Sequence, residues 1–133
     1  GSPSIALPDV LSVNNPESII FTIEAKSGTG TTLQVPFDQI ERCLNWVNNF
    51  QVYQKREVIL AFKFLSKKRI GVGKYEKREL HEFYKIWDKT KKPINFVCTY
   101  EGKTYALKNS KQEILVLKDF LMPFKSKYQL FYK

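Results

Sequence analysis

The sequence predicts an α/β fold with a mixed central β-sheet flanked by helices. Three observations carry that expectation. Runs of β-branched and apolar residues recur between turn-forming clusters. Two segments place apolar residues at helical rather than strand spacing. Strands and helices alternate in the order β-β-α-β-α-β-β, which favours one sheet covered by helices. A chain of 133 residues suits one domain, so residues 1–133 are read as a single unit.

The elements follow in order. Val10-Leu11-Ser12-Val13 and residues 19–25 read as two strands. Between them Asn14-Asn15-Pro16-Glu17-Ser18 is a strong turn cluster, so the pair folds as an antiparallel hairpin. A small polar loop over residues 27–32 leads to Pro36-Phe37-Asp38-Gln39, a helix start with proline near the first turn. Ile40, Cys43, Leu44 and Val47 then form a stripe, widened by Trp46 and Phe50, and the helix is expected to reach about residue 50. Residues 56–65 make a buried strand, followed by a basic loop over residues 66–74. Leu80, Phe83, Tyr84 and Trp87 predict a second amphipathic helix over residues 77–89. Residues 94–100 and 103–107 form a second hairpin around Glu101-Gly102, and residues 113–120 add a last strand or strand-like element beyond that order.

Charge speaks to partners. The net charge of +9 points to a polyanion, and nucleic acid is the commonest one. Basic residues gather at Lys67-Lys68-Arg69, with Lys74 close behind; these four are the candidate contacts to DNA backbone. Further lysines stand at Lys89, Lys91 and Lys92. No apolar run approaches the roughly 18–20 residues of a membrane span, so no membrane association is expected. Cys43 and Cys98 show no ligand spacing and read as reduced, buried thiols of a cytoplasmic protein. His81 is the lone histidine and receives no role.

The chemistry concentrates at Pro8-Asp9 and Glu24-Ala25-Lys26. Residues two apart on a strand share a face, so Glu24 and Lys26 project together. The intervening turn folds Asp9 back beside Glu24. Two carboxylates and an ammonium at one hairpin end suit phosphodiester hydrolysis. Asp9 and Glu24 would hold Mg²⁺ (Mn²⁺ is the alternative), and the backbone carbonyl of Ala25 would add an oxygen. Such a metal lowers the pKa of a bound water. Lys26 would orient that water or stabilise charge on phosphorus. The competing reading is an Asp at a turn and a Glu–Lys pair on a solvated strand end.

At these residues the sequence resembles the PD-(D/E)xK nuclease superfamily, and within it the archaeal-type Holliday junction resolvases. The matching words are Leu7-Pro8-Asp9-Val10 and Phe21-Thr22-Ile23-Glu24-Ala25-Lys26-Ser27, over about residues 2–65. The resemblance implies a restriction-endonuclease-like core and catalytic roles for Asp9, Glu24 and Lys26. Gln39 stands where the family carries a helix glutamine; it reads equally well as a polar residue near the sheet edge. The resemblance further implies a Mg²⁺-dependent endonuclease that resolves four-way DNA junctions as a homodimer, in recombination and repair on the chromosome. The family's N-terminal helix, with its further acidic residue, is expected to be missing, since nothing acidic precedes Asp9. Two alternatives stay open: a catalytically impaired DNA-binding or scaffold protein on the same fold, and a restriction or repair nuclease of the same superfamily.

Overall fold

The computed structural model describes the backbone of residues 10–14, 19–70 and 77–121, and the side chains within 19–65 and 80–121. In chain order the elements are β1 (Val10–Asn14), β2 (Ile19–Gly28), β3 (Thr32–Val35), α1 (Phe37–Asn48) and β4 (Lys55–Ile70). Then come β5 (Lys77–Ile86), β6 (Asn95–Thr99), β7 (Thr104–Lys108), β8 (Lys111–Ile114) and β9 (Lys118–Asp119). They build a five-stranded sheet in the order β1-β2-β4-β5-β9 and a four-stranded sheet in the order β3-β6-β7-β8.

The larger sheet is mixed, as expected. β1 and β2 pair antiparallel from Val10↔Ile23 to Asn14↔Ile19, which is the hairpin the turn cluster called for. β2 and β4 run parallel in unbroken register from Ile19↔Lys55 to Gly28↔Phe64. A parallel pair needs a crossover, and β3 with α1 supplies it. β4 is buried on both faces: Val58, Leu60, Phe62 and Phe64 on one, Ile59 and Ala61 on the other. A near-continuous apolar run is the signature of such a central strand.

α1 forms where its stripe said it would. Ile40, Cys43 and Val47 are fully buried and Leu44 packs beside them. Pro36 precedes the helix with an extended backbone and has no side chain that can cap it. The side-chain oxygen of Asn95, on β6, accepts the Phe37 amide at 2.8 Å instead. The cap therefore ties α1 to the smaller sheet. The core fills the space between one face of β4 and the layer of α1 plus the smaller sheet. Phe62 meets Phe96 at 5.9 Å between ring centroids, and Trp87 meets Phe96 edge-on at 5.8 Å. On the opposite face Phe21 meets Phe120 edge-on at 5.6 Å.

Four expectations need correction. Residues 77–86 are not a helix but β5, paired antiparallel with β4 from Leu65↔Leu80 to Ile59↔Ile86. Phe83 and Trp87 lie against Phe64 and Phe96, while Tyr84 pairs with Ala61 on the opposite face. Cover on both sides erases the alternation that marks a strand. Residues 66–70 are not loop either; β4 continues through them with a register irregularity between Leu65 and Arg69. Thr32–Val35, passed over between loop and helix, is β3, with Val35 buried. Residues 113–120 split into β8 and β9, which join different sheets around buried Leu117.

The second hairpin also differs in detail. Cys98 pairs with Thr104, and the Thr99 amide reaches the Lys103 carbonyl, so Tyr100, Glu101 and Gly102 make a three-residue loop. Gly102 has φ +89°, the left-handed conformation that such a loop closes on.

Candidate active site

Ile20, Thr22 and Glu24 face one side of β2, and all three are buried; Glu24 is 1% exposed. The register Glu24↔Leu60 puts this face on the side of Val58, Leu60 and Phe62, where α1 packs. Lys26 follows on the same face as the strand leaves the core, and its Nζ lies 3.4 Å from Glu24 Oε1. A third group arrives from the helix: Arg42 Nη2 is 3.7 Å from the same oxygen. A buried carboxylate is costly unless compensated, and two cations compensate this one.

Gln39 lies one helical turn before Arg42, hence on the same side of α1. It is half-buried, and its side-chain oxygen has no hydrogen-bond partner among the described residues. Ala25 pairs with Ala61 between the Glu24 and Lys26 positions. Asp9 lies outside the described residues; its neighbour Val10 pairs with Ile23, the neighbour of Glu24. Among the described residues no group of three or more acidic, cysteine or histidine side chains is placed to hold a metal. What this part of the site offers is one buried carboxylate, a hard oxygen donor. That suits Mg²⁺, which binds through one or two carboxylates and keeps several waters.

The basic candidates fall partly within view. Lys67, Lys68 and Arg69 sit on the far stretch of β4, beyond the Gly28↔Phe64 pair where β2 ends. β2 and β4 are parallel, so this stretch extends past the same end of the sheet toward which Lys26 leads. Lys74 lies outside the described residues. Lys91 and Lys92 border a cavity of about 410 Å³ that also carries Lys108 and Glu113.

Other titratable groups have structural settings. His81 stacks on Tyr100 at 4.3 Å, with a hydrogen bond of 3.0 Å between Nε2 and the phenol. Cys43 and Cys98 are buried free thiols, and burial pushes Cys98 up to about 11. Burial also raises the Tyr84 phenol, which donates to Glu82 Oε2 at 2.9 Å.

A family model described as archaeal Holliday junction resolvase (Hjc) matches residues 1–102. The chain belongs to that family. The match spans Glu24, Lys26, Gln39 and Arg42 and ends in the β6–β7 turn. Membership in a family of resolvases implies nuclease chemistry on branched DNA, in recombination. No curated protein matches the chain. Among the described residues no helix is long and apolar enough to cross a membrane. Arg42, which joins Glu24 and Lys26 here, is the residue that sequence reasoning missed. Its place three positions after Gln39 puts it on the helix side that carries Gln39, but spacing alone does not name the carboxylate it meets.

Proposed function

We propose that this chain, as one domain, is a divalent-metal-dependent endonuclease selective for four-way DNA junctions. The observation that carries the reading is a buried Glu24 beside Lys26 at the solvent end of a central strand, in a chain of the resolvase family. Glu24 and Asp9, with the Ala25 carbonyl, would hold Mg²⁺ or Mn²⁺. When bound, such an ion would supply Lewis-acid chemistry, making hydroxide available near neutral pH. Lys26 would orient the attacking water and stabilise negative charge on the phosphoryl oxygens. Gln39 serves as a polar positioning group from α1.

Lys67, Lys68, Arg69 and Lys74 are proposed to hold the DNA backbone. The strand position of the first three, past the end of β2, supports an approach of DNA to that end of the sheet. A symmetric homodimer suits the substrate, because two sites can face two strands of like polarity. The work is proposed to take place in the cytoplasm, on the chromosome, in recombination and repair.

The test is cleavage of a labelled four-way junction with Mg²⁺, beside linear, nicked and flapped duplexes and a Glu24→Ala control. Metal-dependent, junction-selective cuts that the variant loses support the reading. Tight binding without cuts replaces it with a DNA-binding scaffold on the same fold. Equal cutting of every duplex replaces it with a repair-type nuclease. A monomeric mass by light scattering, with and without junction, removes the dimer.

A further inference from the structure

We infer that Arg42 is the counter-ion that stands in for the metal on Glu24, holding Oε1 when no metal is bound and releasing it when one arrives. The inference rests on the metal-site reading above and gives that site a built-in exchange partner.

Four observations lead to it. Glu24 is buried, so its charge needs a cation in every state of the protein. Arg42 provides one from α1, with Nη2 3.7 Å from Oε1. That distance is well beyond the roughly 2.7–2.9 Å of a tight charge-assisted hydrogen bond. The guanidinium is therefore held by Coulomb attraction rather than by a closed fork, and it can leave cheaply. The buried Nε of Arg42 has no hydrogen-bond partner among the described residues, as expected of a guanidinium only half seated.

The fourth observation gives it somewhere to go. Arg42 lines an open groove along the outer side of α1 together with Asp38, Glu41 and Asn45. Asp38 is one turn before Arg42, the spacing at which helix side chains pair. A guanidinium displaced from Glu24 swings toward two carboxylates. A divalent ion entering at Glu24 would both repel Arg42 and satisfy the carboxylate it leaves. Lys26 shares Oε1 but sits on the same strand as Glu24, and it stays for the chemistry.

The experiment compares parent, Arg42→Gln, Arg42→Lys, Glu24→Gln and the Glu24→Gln/Arg42→Gln double variant. Melting temperature is read in EDTA, and Mn²⁺ affinity by calorimetry. Arg42→Gln is expected to melt several degrees lower without metal and to bind Mn²⁺ on the order of tenfold tighter, because a competing positive charge is gone. Arg42→Lys should recover most of both. With Glu24→Gln present, the Arg42→Gln change should alter melting by no more than about 1 °C. An Arg42→Gln protein with the parent's melting temperature and Mn²⁺ affinity overturns the inference. So does an Arg42→Gln change that is equally damaging, or equally prevents folding, with and without Glu24. A parent that takes up no Mn²⁺ overturns the metal reading and the exchange together, whereas normal uptake with no Arg42 effect overturns the exchange alone.

Discussion

Glu24 Oε1 and Lys26 Nζ lie 3.4 Å apart, yet the carboxylate side chain is 1% exposed and the ammonium side chain 26%. The pair therefore spans the boundary between core and solvent, with the acceptor fixed and the donor able to reach a substrate. Lys26→Met is expected to slow junction cleavage by about a hundredfold or more. Junction affinity should stay within about threefold, since one phosphate contact among many is lost. Single-turnover cleavage with a parallel binding titration checks this; an equal loss of both would assign Lys26 to binding.

The contact of Phe62 with Phe96 joins the two sheets through the middle of the core. Truncating Phe62 to Ala removes buried area and leaves a cavity that rigid strands on both sides cannot close. The expected loss is about 3–5 kcal/mol of unfolding free energy. Urea denaturation measures it, and a loss below about 1 kcal/mol would mean that the sheets are not held together there.

Gly102 turns the β6–β7 hairpin at φ +89°, and a Cβ there would come within 2.7 Å of the Phe83 ring. Gly102→Ala meets both a disfavoured backbone and an occupied space. It should cost about 1–3 kcal/mol, partly offset by a stiffer unfolded chain. A thermal melt equal to that of the parent would contradict the turn geometry.

Cys98 supplies a pH dependence whose sign follows from its setting. Burial pushes the thiol from 9.0 up to about 11, while the charge of Lys85 acts weakly the other way. The folded chain keeps a proton that the unfolded chain releases. The stability from this group is complete below about pH 9 and is lost as pH rises through about 11. Urea midpoints from pH 8 to pH 11 should fall more steeply for the parent than for Cys98→Ala. Parallel curves would show that Cys98 does not contribute.

The legible parts of the sequence were those with one dominant environment. α1 has one apolar side and one wet side, so Ile40, Cys43 and Val47 announced it. Glu24 and Lys26 ended an apolar strand and could be read as a pair from spacing alone. β5 was illegible because its apolar residues serve two faces: Phe83 packs toward Phe64, while Tyr84 pairs with Ala61 on the other face. Pairing with β4 then overrode the helical spacing. Arg42 was hidden for another reason. A single basic residue on a helix gives no hint of which carboxylate it will meet, and Glu24 comes to it only through the β2–α1 packing.

The parallel pairing of β2 with β4 has a kinetic consequence. Ile19 finds its partner at Lys55, and every later pair keeps the same long separation along the chain. Such contacts close a large loop before they return any energy, which slows folding. The β1–β2 hairpin and α1 are local and can form early, but Glu24 is enclosed only when β4 docks beside it. The surroundings of Glu24 are thus completed only after this long-range pairing, later than the local hairpin and helix.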